Sequence, residues 1–137
     1  MKRTALAILA VYAAWSLLDM LVHGVLLDQA YHATAHLWRP MPEMKMGLMQ
    51  AVCFGIAIIF VSVYATMVGH HSLRRGLAYG TLWGTALGLS MGYGSYSFMP
   101  ISSSLAFAWF ATSVFEGVVA GLIVGSVVKS CQCTHPV

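Results

Sequence analysis

The sequence has very little charge. Only 8% of its 137 residues are Asp, Glu, Lys or Arg, whereas 59% are hydrophobic; an ordinary soluble domain carries about 25% charged residues. This composition excludes an ordinary soluble domain and predicts a single domain embedded in lipid. The formal net charge of +3 comes from seven basic residues that form no dense basic face, so nucleic-acid binding is excluded as well.

Cysteine and catalytic motifs are also scarce. Of the three cysteines, Cys53 lies in an apolar run, and Cys131 and Cys133 lie in a tail that we expect to be cytoplasmic. A reducing compartment argues against a structural disulfide there. The sequence contains no Ser-His-Asp order, no phosphate-binding glycine loop and no Walker motif. An enzyme is therefore the third choice, with Asp, His and Glu holding a metal for redox chemistry as its conceivable basis.

Four long apolar segments organise the chain. They predict transmembrane helices over residues 4–27, 46–67, 76–99 and 105–128, within one domain of residues 1–129 that is followed by a short tail, 130–137. Each segment is long enough to cross a bilayer, which takes about 20 apolar residues. The expected fold class is therefore all-α, an integral membrane four-helix bundle.

Basic residues predict the orientation of these helices. Lys2, Arg3, Arg74, Arg75 and Lys129 would lie on one side of the membrane, and Arg39 and Lys45 on the other. The side richer in Lys and Arg is usually cytoplasmic, so we expect a bacterial inner-membrane protein with both termini in the cytoplasm. The rival is a signal peptide cleaved after Val11-x-Ala13. Its removal would leave a fragment too short to span and an odd number of full crossings.

Glycines recur at every fourth position in the last two predicted spans. They are Gly76, Gly80, Gly84, Gly88 and Gly92 in the third span, and Gly117, Gly121 and Gly125 in the fourth. Residues four apart share one helix face, and small residues allow two helices to approach closely in lipid. The pattern predicts glycine-zipper packing, within or between subunits, and carries no information about chemistry.

Glu116 is the least expected residue in its surroundings. It is the twelfth residue of a 24-residue apolar run, Leu105 to Val128, that holds no other charge. That run spans roughly 36 Å as a helix, so Glu116 would lie near the bilayer midplane. A charge at that depth costs about 2.5 kcal/mol or more, and such residues usually face a partner, a cavity or an ion path.

Asp19 and His23 form a second polar feature inside an apolar run. At i and i+4 they share a helix face, so the carboxylate can orient the imidazole or join it as a metal ligand. Polar groups of the other spans reach the same depth, and we expect support for the site from Gln50, Ser113 and Tyr93. Asp19, His23 and Glu116 are the intramembrane metal candidates. The alternative is a buried pair that only fixes helix packing.

Asp28, His32 and His36 form a third series, spaced at i, i+4 and i+8. If the first helix continues beyond the membrane, they lie along one stripe, nearly opposite to Asp19 and His23. Two histidines four residues apart can bind a divalent metal. An interfacial helix with ordinary histidines accounts for the spacing as well.

Soft metal ligands occur near both ends of the predicted spans. The outer candidates are His32, His36, Met41, Met44 and Met46, and the inner candidates are Cys131, Cys133 and His135. Thioethers select Cu(I), and thiolates with imidazoles take copper or zinc. Methionine is also a common filler of apolar helices. Copper or zinc are therefore the candidate ions, while the cofactor, haem included, stays open.

Two runs carry a family resemblance, namely WSLLDMLVHGVLLDQAYHATAHLWRPMPEMK and RRGLAYGTLWGTALG. They resemble small four-span bacterial inner-membrane proteins of unknown function, over most of the chain up to Lys129. The resemblance implies the four-span topology and no mechanism. The Cys131-Gln132-Cys133 tail departs from that pattern.

The predicted function is binding or transport of a cation, a proton or a metal ion at an intramembrane site of Asp19, His23, Gln50 and Glu116. The alternative is a non-catalytic accessory or assembly subunit of a larger membrane complex, with the glycine face as its contact surface. The expected partners are the lipid bilayer and either further copies of the chain or other subunits of such a complex.

Overall fold

The computed structural model describes residues 1–128, and this part of the chain is all-helical. The helices are α1 (Lys2–Leu21), α2 (Asp28–Ala33), α3 (Met46–Met67), α4 (Leu73–Gly88) and α5 (Ser103–Val127). Two π-helical segments, Val22–Leu26 and Leu89–Gly94, continue α1 and α4, and short 3₁₀ turns cover Ala35–Leu37 and Met41–Glu43. The predicted inner metal candidates, Cys131, Cys133 and His135, lie outside the described residues.

Within residues 1–128, three helices are long and apolar enough to cross a membrane: Lys2–Leu26, Met46–Met67 and Ser103–Val127. They match the first, second and fourth predicted spans within a few residues. Large apolar side chains on their outward faces are exposed, among them Leu17 (63%), Val52 (52%) and Phe107 (57%). Such a surface suits contact with lipid rather than water.

The third predicted span, residues 76–99, is not among these three helices. Its α-helical part, α4, has 16 residues, and glycine, threonine and tyrosine dilute its apolar content. The chain stays helical beyond Gly94 as far as Tyr96. By length and composition the described chain therefore supports three crossing helices, and a fourth crossing remains a prediction.

α4 and α5 run antiparallel and approach each other closely through their glycines. A Cβ atom added at Gly80 would lie 2.7 Å from the Cα atom of Gly121, and one added at Gly92 would lie 2.6 Å from the carbonyl oxygen of Ala106. Real Cβ atoms essentially never come so close to backbone atoms. Ser72 begins α4 by accepting a hydrogen bond from the amide of Arg75 at 3.2 Å.

Two ends of the protein can now be defined. The terminal end contains Met1, the turn at 68–72 and Val128; the loop end contains the connections 27–45 and 97–102. Toward the terminal end, buried side chains of α1, α3 and α5 form the main core. Its members are Ala7, Val11, Trp15, Ala57, Phe60, Val61, Tyr64, Ala120, Val124 and Val128.

Aromatic side chains join α3 to α4 in the same half of the protein. The ring of Phe60 contacts Tyr79 and Trp83 at centroid distances of 4.7 and 5.5 Å. The Tyr79 hydroxyl donates to the Phe60 carbonyl at 2.8 Å. Because large rings fill the gap, the two backbones stay apart.

At the loop end, the segment after α1 folds against the start of α5. Ile101, Leu105 and Ala106 are buried there beneath Tyr31 and Trp38, among other side chains. α5 begins two residues before the predicted Leu105. Its cap is the hydroxyl of Ser102, which accepts a hydrogen bond from the Leu105 amide at 3.2 Å.

Candidate functional site

The carboxyl groups of Asp19 and Glu116 meet between α1 and α5. The indole Nε1 of Trp15 donates to the Glu116 backbone carbonyl at 3.0 Å, and this contact sets the two antiparallel helices in register. One turn further along α1, the side chain of Asp19 comes close to that of Glu116. Two ionised carboxylates that lie close together repel each other, so this arrangement favours a proton on one of the two carboxyl groups.

The second carboxyl oxygen of Glu116 is left without a hydrogen bond. In the described part of the chain, Oε1 is buried and has no hydrogen-bond partner. An unsatisfied acceptor in such a position costs about 1–3 kcal/mol. The sequence thus retains a carboxyl group here that helix packing alone would not favour.

His23 extends the polar cluster toward the loop end. Its Nε2 atom lies 3.8 Å from Asp19 Oδ1, as the i, i+4 spacing predicted. Its Nδ1 atom lies 2.5 Å from the hydroxyl oxygen of Tyr31, and the two rings are stacked. His23 belongs to the π-helical segment Val22–Leu26. Single π-helical turns are frequent at functional sites.

The contact with Tyr31 favours one tautomer of His23. The indole Nε1 of Trp109 donates to the Tyr31 hydroxyl oxygen at 2.8 Å. That oxygen therefore already accepts one hydrogen bond, and its own proton is free to point at Nδ1 of His23. A neutral imidazole that accepts at Nδ1 carries its proton on Nε2, facing Asp19. Burial raises the pKa of Tyr31, so the phenol stays protonated.

Sequence reasoning missed Tyr31 and Trp109. Tyr31 comes eight residues after His23, a spacing that on a continuous helix turns the two side chains away from each other by about 80°. The contact forms because the chain bends at Leu27, whose φ and ψ are −101° and 4°. An aromatic residue just beyond a polar membrane segment is the only signal that the sequence offered.

The cluster lies in the wall of a cavity of about 600 Å³. Its lining comes from four helices and includes Trp15, Asp19, His23, Leu48, Met49, Val52, Cys53, Ile56, Trp83, Gly84, Leu87, Met91, Trp109, Thr112, Ser113, Glu116 and Gly117. Most of these side chains are apolar. The few polar ones are concentrated on α1 and α5.

Two residues predicted to support the site lie elsewhere. Gln50 is exposed and accepts hydrogen bonds from Tyr12 (2.8 Å) and Ser16 (3.3 Å), so it joins α3 to α1 outside the cavity lining. Tyr93 is 43% exposed and packs on Phe110. Ser113, in contrast, lines the cavity as expected. A shared depth in the membrane does not bring residues together when they face different directions.

The outer metal candidates remain on the surface. Asp28 and His32 lie 3.5 Å apart with side chains 56% and 79% exposed. α2 ends at Ala33, so His36 does not continue their stripe as predicted. Met41 and Met46 are exposed, and Met44 lies at the end of a 3₁₀ turn. In the described residues, no group of three or more His, Cys, Asp or Glu side chains is arranged to hold a metal ion.

No protein-family model, no curated protein and no solved structure matches the chain. The resemblance to small four-span bacterial proteins therefore stays a prediction. The features of this chain that bear on its function are the carboxyl pair, the neighbouring His23 and Tyr31, and the cavity.

Proposed function

We propose that this is a four-span membrane protein that binds a cation at Asp19 and Glu116, and that the first candidate for this cation is the proton. The proton reaches and leaves the carboxyl pair through His23 and Tyr31, from the loop end of the protein. The observation that carries the proposal is the proximity of two carboxyl groups, which lie on apolar helices and line the same cavity. A proton held between them removes the cost of two like charges in lipid.

The fourth crossing is supported by the partnership of α4 and α5. If α5 crosses the bilayer, α4 crosses with it, because the two lie side by side from Gly76 against Gly121 to Gly92 against Ala106. Both glycine rows face each other in this contact, as in a glycine zipper. They are therefore occupied within the chain, which weakens the alternative in which they bind another subunit.

A relay between the carboxyl pair and the loop end follows from the order of the groups. Glu116, Asp19, His23 and Tyr31 follow one another in a series of groups that can each give and take a proton. Asp19 and His23 are 3.8 Å apart, a gap that a small rotation of either side chain closes. Imidazole is suited to this step because its two nitrogens exchange donor and acceptor roles.

The carboxyl pair is closed off from the terminal end of the protein by the main core. Trp15, Phe60 and Tyr64 are buried in the core below the carboxyl pair. The arrangement therefore favours a site that exchanges with one side at a time over an open channel. With both termini in the cytoplasm, as the basic residues predict, the relay would lead toward the outer side of a bacterial inner membrane.

Proton titration of purified protein in detergent tests this proposal. Infrared spectroscopy should detect the C=O band of a protonated carboxyl group that is lost in Glu116→Gln. The matched control is Glu43→Gln, since Glu43 is an exposed carboxylate in the loop 27–45. If Glu116→Gln keeps the band and the wild-type proton uptake, the proposal is wrong.

A further inference from the structure

The cavity is open on the side where α3 and α4 diverge. On α3, Leu48, Met49 and Val52 line it while remaining 59%, 55% and 52% exposed. On the π-helical segment that continues α4, Met91 lines it and is 56% exposed. The aromatic contacts that join α3 and α4 lie nearer the terminal end, so they leave this half of the interface unclosed. The opening faces the hydrocarbon of the bilayer if both helices cross it.

The chemistry of the wall changes with depth from this opening. The aliphatic and thioether side chains at the entrance are more than half exposed, whereas Trp15, Trp83 and Trp109 are much less exposed. The acidic pair belongs to the part of the wall that α1 and α5 form. A molecule that entered from lipid would meet apolar surface first, then aromatic faces, and finally a carboxyl group.

We propose that the cavity binds a lipophilic amine, which enters laterally from the bilayer between α3 and α4. This inference rests on the proposed function, because it assigns the ligand of the same carboxyl pair. The ammonium group would bind the Asp19–Glu116 pair and the apolar body would fill the aliphatic part. A volume of about 600 Å³ falls in the range of pockets for organic ligands of drug size.

The charges favour an amine over a neutral amphiphile. A carboxyl pair that shares one proton carries one negative charge, and an ammonium group neutralises it. Indole faces attract cations as well. The other titratable groups in the wall are His23 and Cys53, and a neutral imidazole and a neutral thiol there add no repulsion. If the shared proton leaves through His23 and Tyr31 as a second positive charge arrives, binding of the amine and release of the proton are coupled one for one.

Photolabelling of the protein in phosphatidylcholine vesicles tests the inference. The probe is a decylamine that carries a diazirine on its alkyl chain, and the matched probe is the corresponding decanol. We expect the amine to label residues of the cavity, and Glu116→Gln to lower this labelling by about tenfold, as is usual when a charged contact is lost. Equal labelling by amine and alcohol, or no effect of Glu116→Gln, would overturn the inference.

The route of entry is tested by narrowing the opening. Val52→Trp and Met91→Trp, at two exposed positions, should each reduce labelling by the amine, whereas Leu82→Trp on the exposed face of α4 should not. Proton titration of the same samples separates the two proposals. Wild-type proton uptake that depends on Glu116, together with labelling insensitive to both entrance variants, would leave the carboxyl site standing and contradict lateral binding.

Discussion

The three oxygen atoms of Glu116 have different surroundings. Its backbone carbonyl accepts from Trp15, its carboxyl group lies close to Asp19, and Oε1 is buried without a hydrogen-bond partner among residues 1–128. If Glu116 served only packing, an apolar side chain in its place would make the protein more stable. The loss of stability is explained if the carboxyl group has to bind and release a proton.

Glu116→Gln distinguishes a functional carboxyl group from a structural one. Glutamine keeps the size and donates a hydrogen bond to Asp19 without a shared proton, so we expect the melting temperature in detergent to be unchanged or higher. If Glu116 were instead half of a structural ion pair, the substitution would leave an uncompensated charge and cost about 3 kcal/mol or more. A large loss of thermal stability with unaltered proton binding would contradict a functional role.

Tyr31→Phe tests the outer part of the relay. The substitution removes the oxygen that joins His23 to Trp109, so Nδ1 of His23 and the indole N–H of Trp109 each lose a hydrogen-bond partner. The free energy of unfolding should fall by about 1–3 kcal/mol. Proton exchange at the carboxyl pair, followed by stopped-flow pH jump, should slow down. Tyr96→Phe is the control, because Tyr96 is 46% exposed. Exchange as fast as in the wild type would exclude Tyr31 from the path.

At the scale of helices, the close contact of α4 and α5 leaves room for the cavity elsewhere. Glycine brings these two backbones together, and the aromatic rings of Phe60, Tyr79 and Trp83 hold α3 away from α4. The π-helical segments Val22–Leu26 and Leu89–Gly94 continue α1 and α4 toward the loop end. Tight packing on one side of α4 and divergence on the other together produce a cavity open at one side.

Gly80→Ala should disturb the α4–α5 contact although it adds a single methyl group. The added Cβ atom meets the backbone of Gly117 and Gly121, which cannot move aside as a flexible side chain would. Overpacking of this kind costs about 1–3 kcal/mol. Thermal unfolding in detergent measures the effect, and the larger Gly84→Leu and Gly121→Leu should be more severe.

Gly55→Ala is the matched control for this prediction. Gly55 also lies within a helix, α3, but a Cβ atom there has nothing within 4 Å. Because alanine favours helix more than glycine does, this substitution should be neutral or slightly stabilising. Equal melting temperatures for Gly80→Ala and Gly55→Ala would show that the glycine row is not a packing surface.

For the whole molecule, the open question of three or four crossings has a direct test. Four crossings return the C-terminus to the side of the N-terminus, so reporters fused at Val137 and within the loop 39–45 should report opposite sides of the membrane. Three crossings, with α4 lying outside the bilayer, would give both reporters the same side. Matching signals would therefore contradict the four-span arrangement.

The sequence by itself determined the all-helical class and the three most apolar helices. Lipid requires long apolar helices whose backbone hydrogen bonds are satisfied internally, and such helices can be recognised from the hydropathy of the sequence. The i, i+4 proximity of Asp19 and His23 was also predictable, because it depends on helix geometry alone. The end of α2 at Ala33 was not predictable, because the i, i+4 spacing of Asp28, His32 and His36 continues past Ala33 and indicates an unbroken helix.

The tertiary structure alone decided which polar groups share a site. Gln50 and Ser113 have similar predicted depths, yet Gln50 bonds Tyr12 on one face of α3 while Ser113 lines the cavity. Tyr31 reaches His23 because the chain bends at Leu27, and Glu116 reaches Asp19 because Trp15 sets the register of α1 and α5. Rotation and register of helices depend on contacts between distant residues, which local patterns in the sequence do not encode.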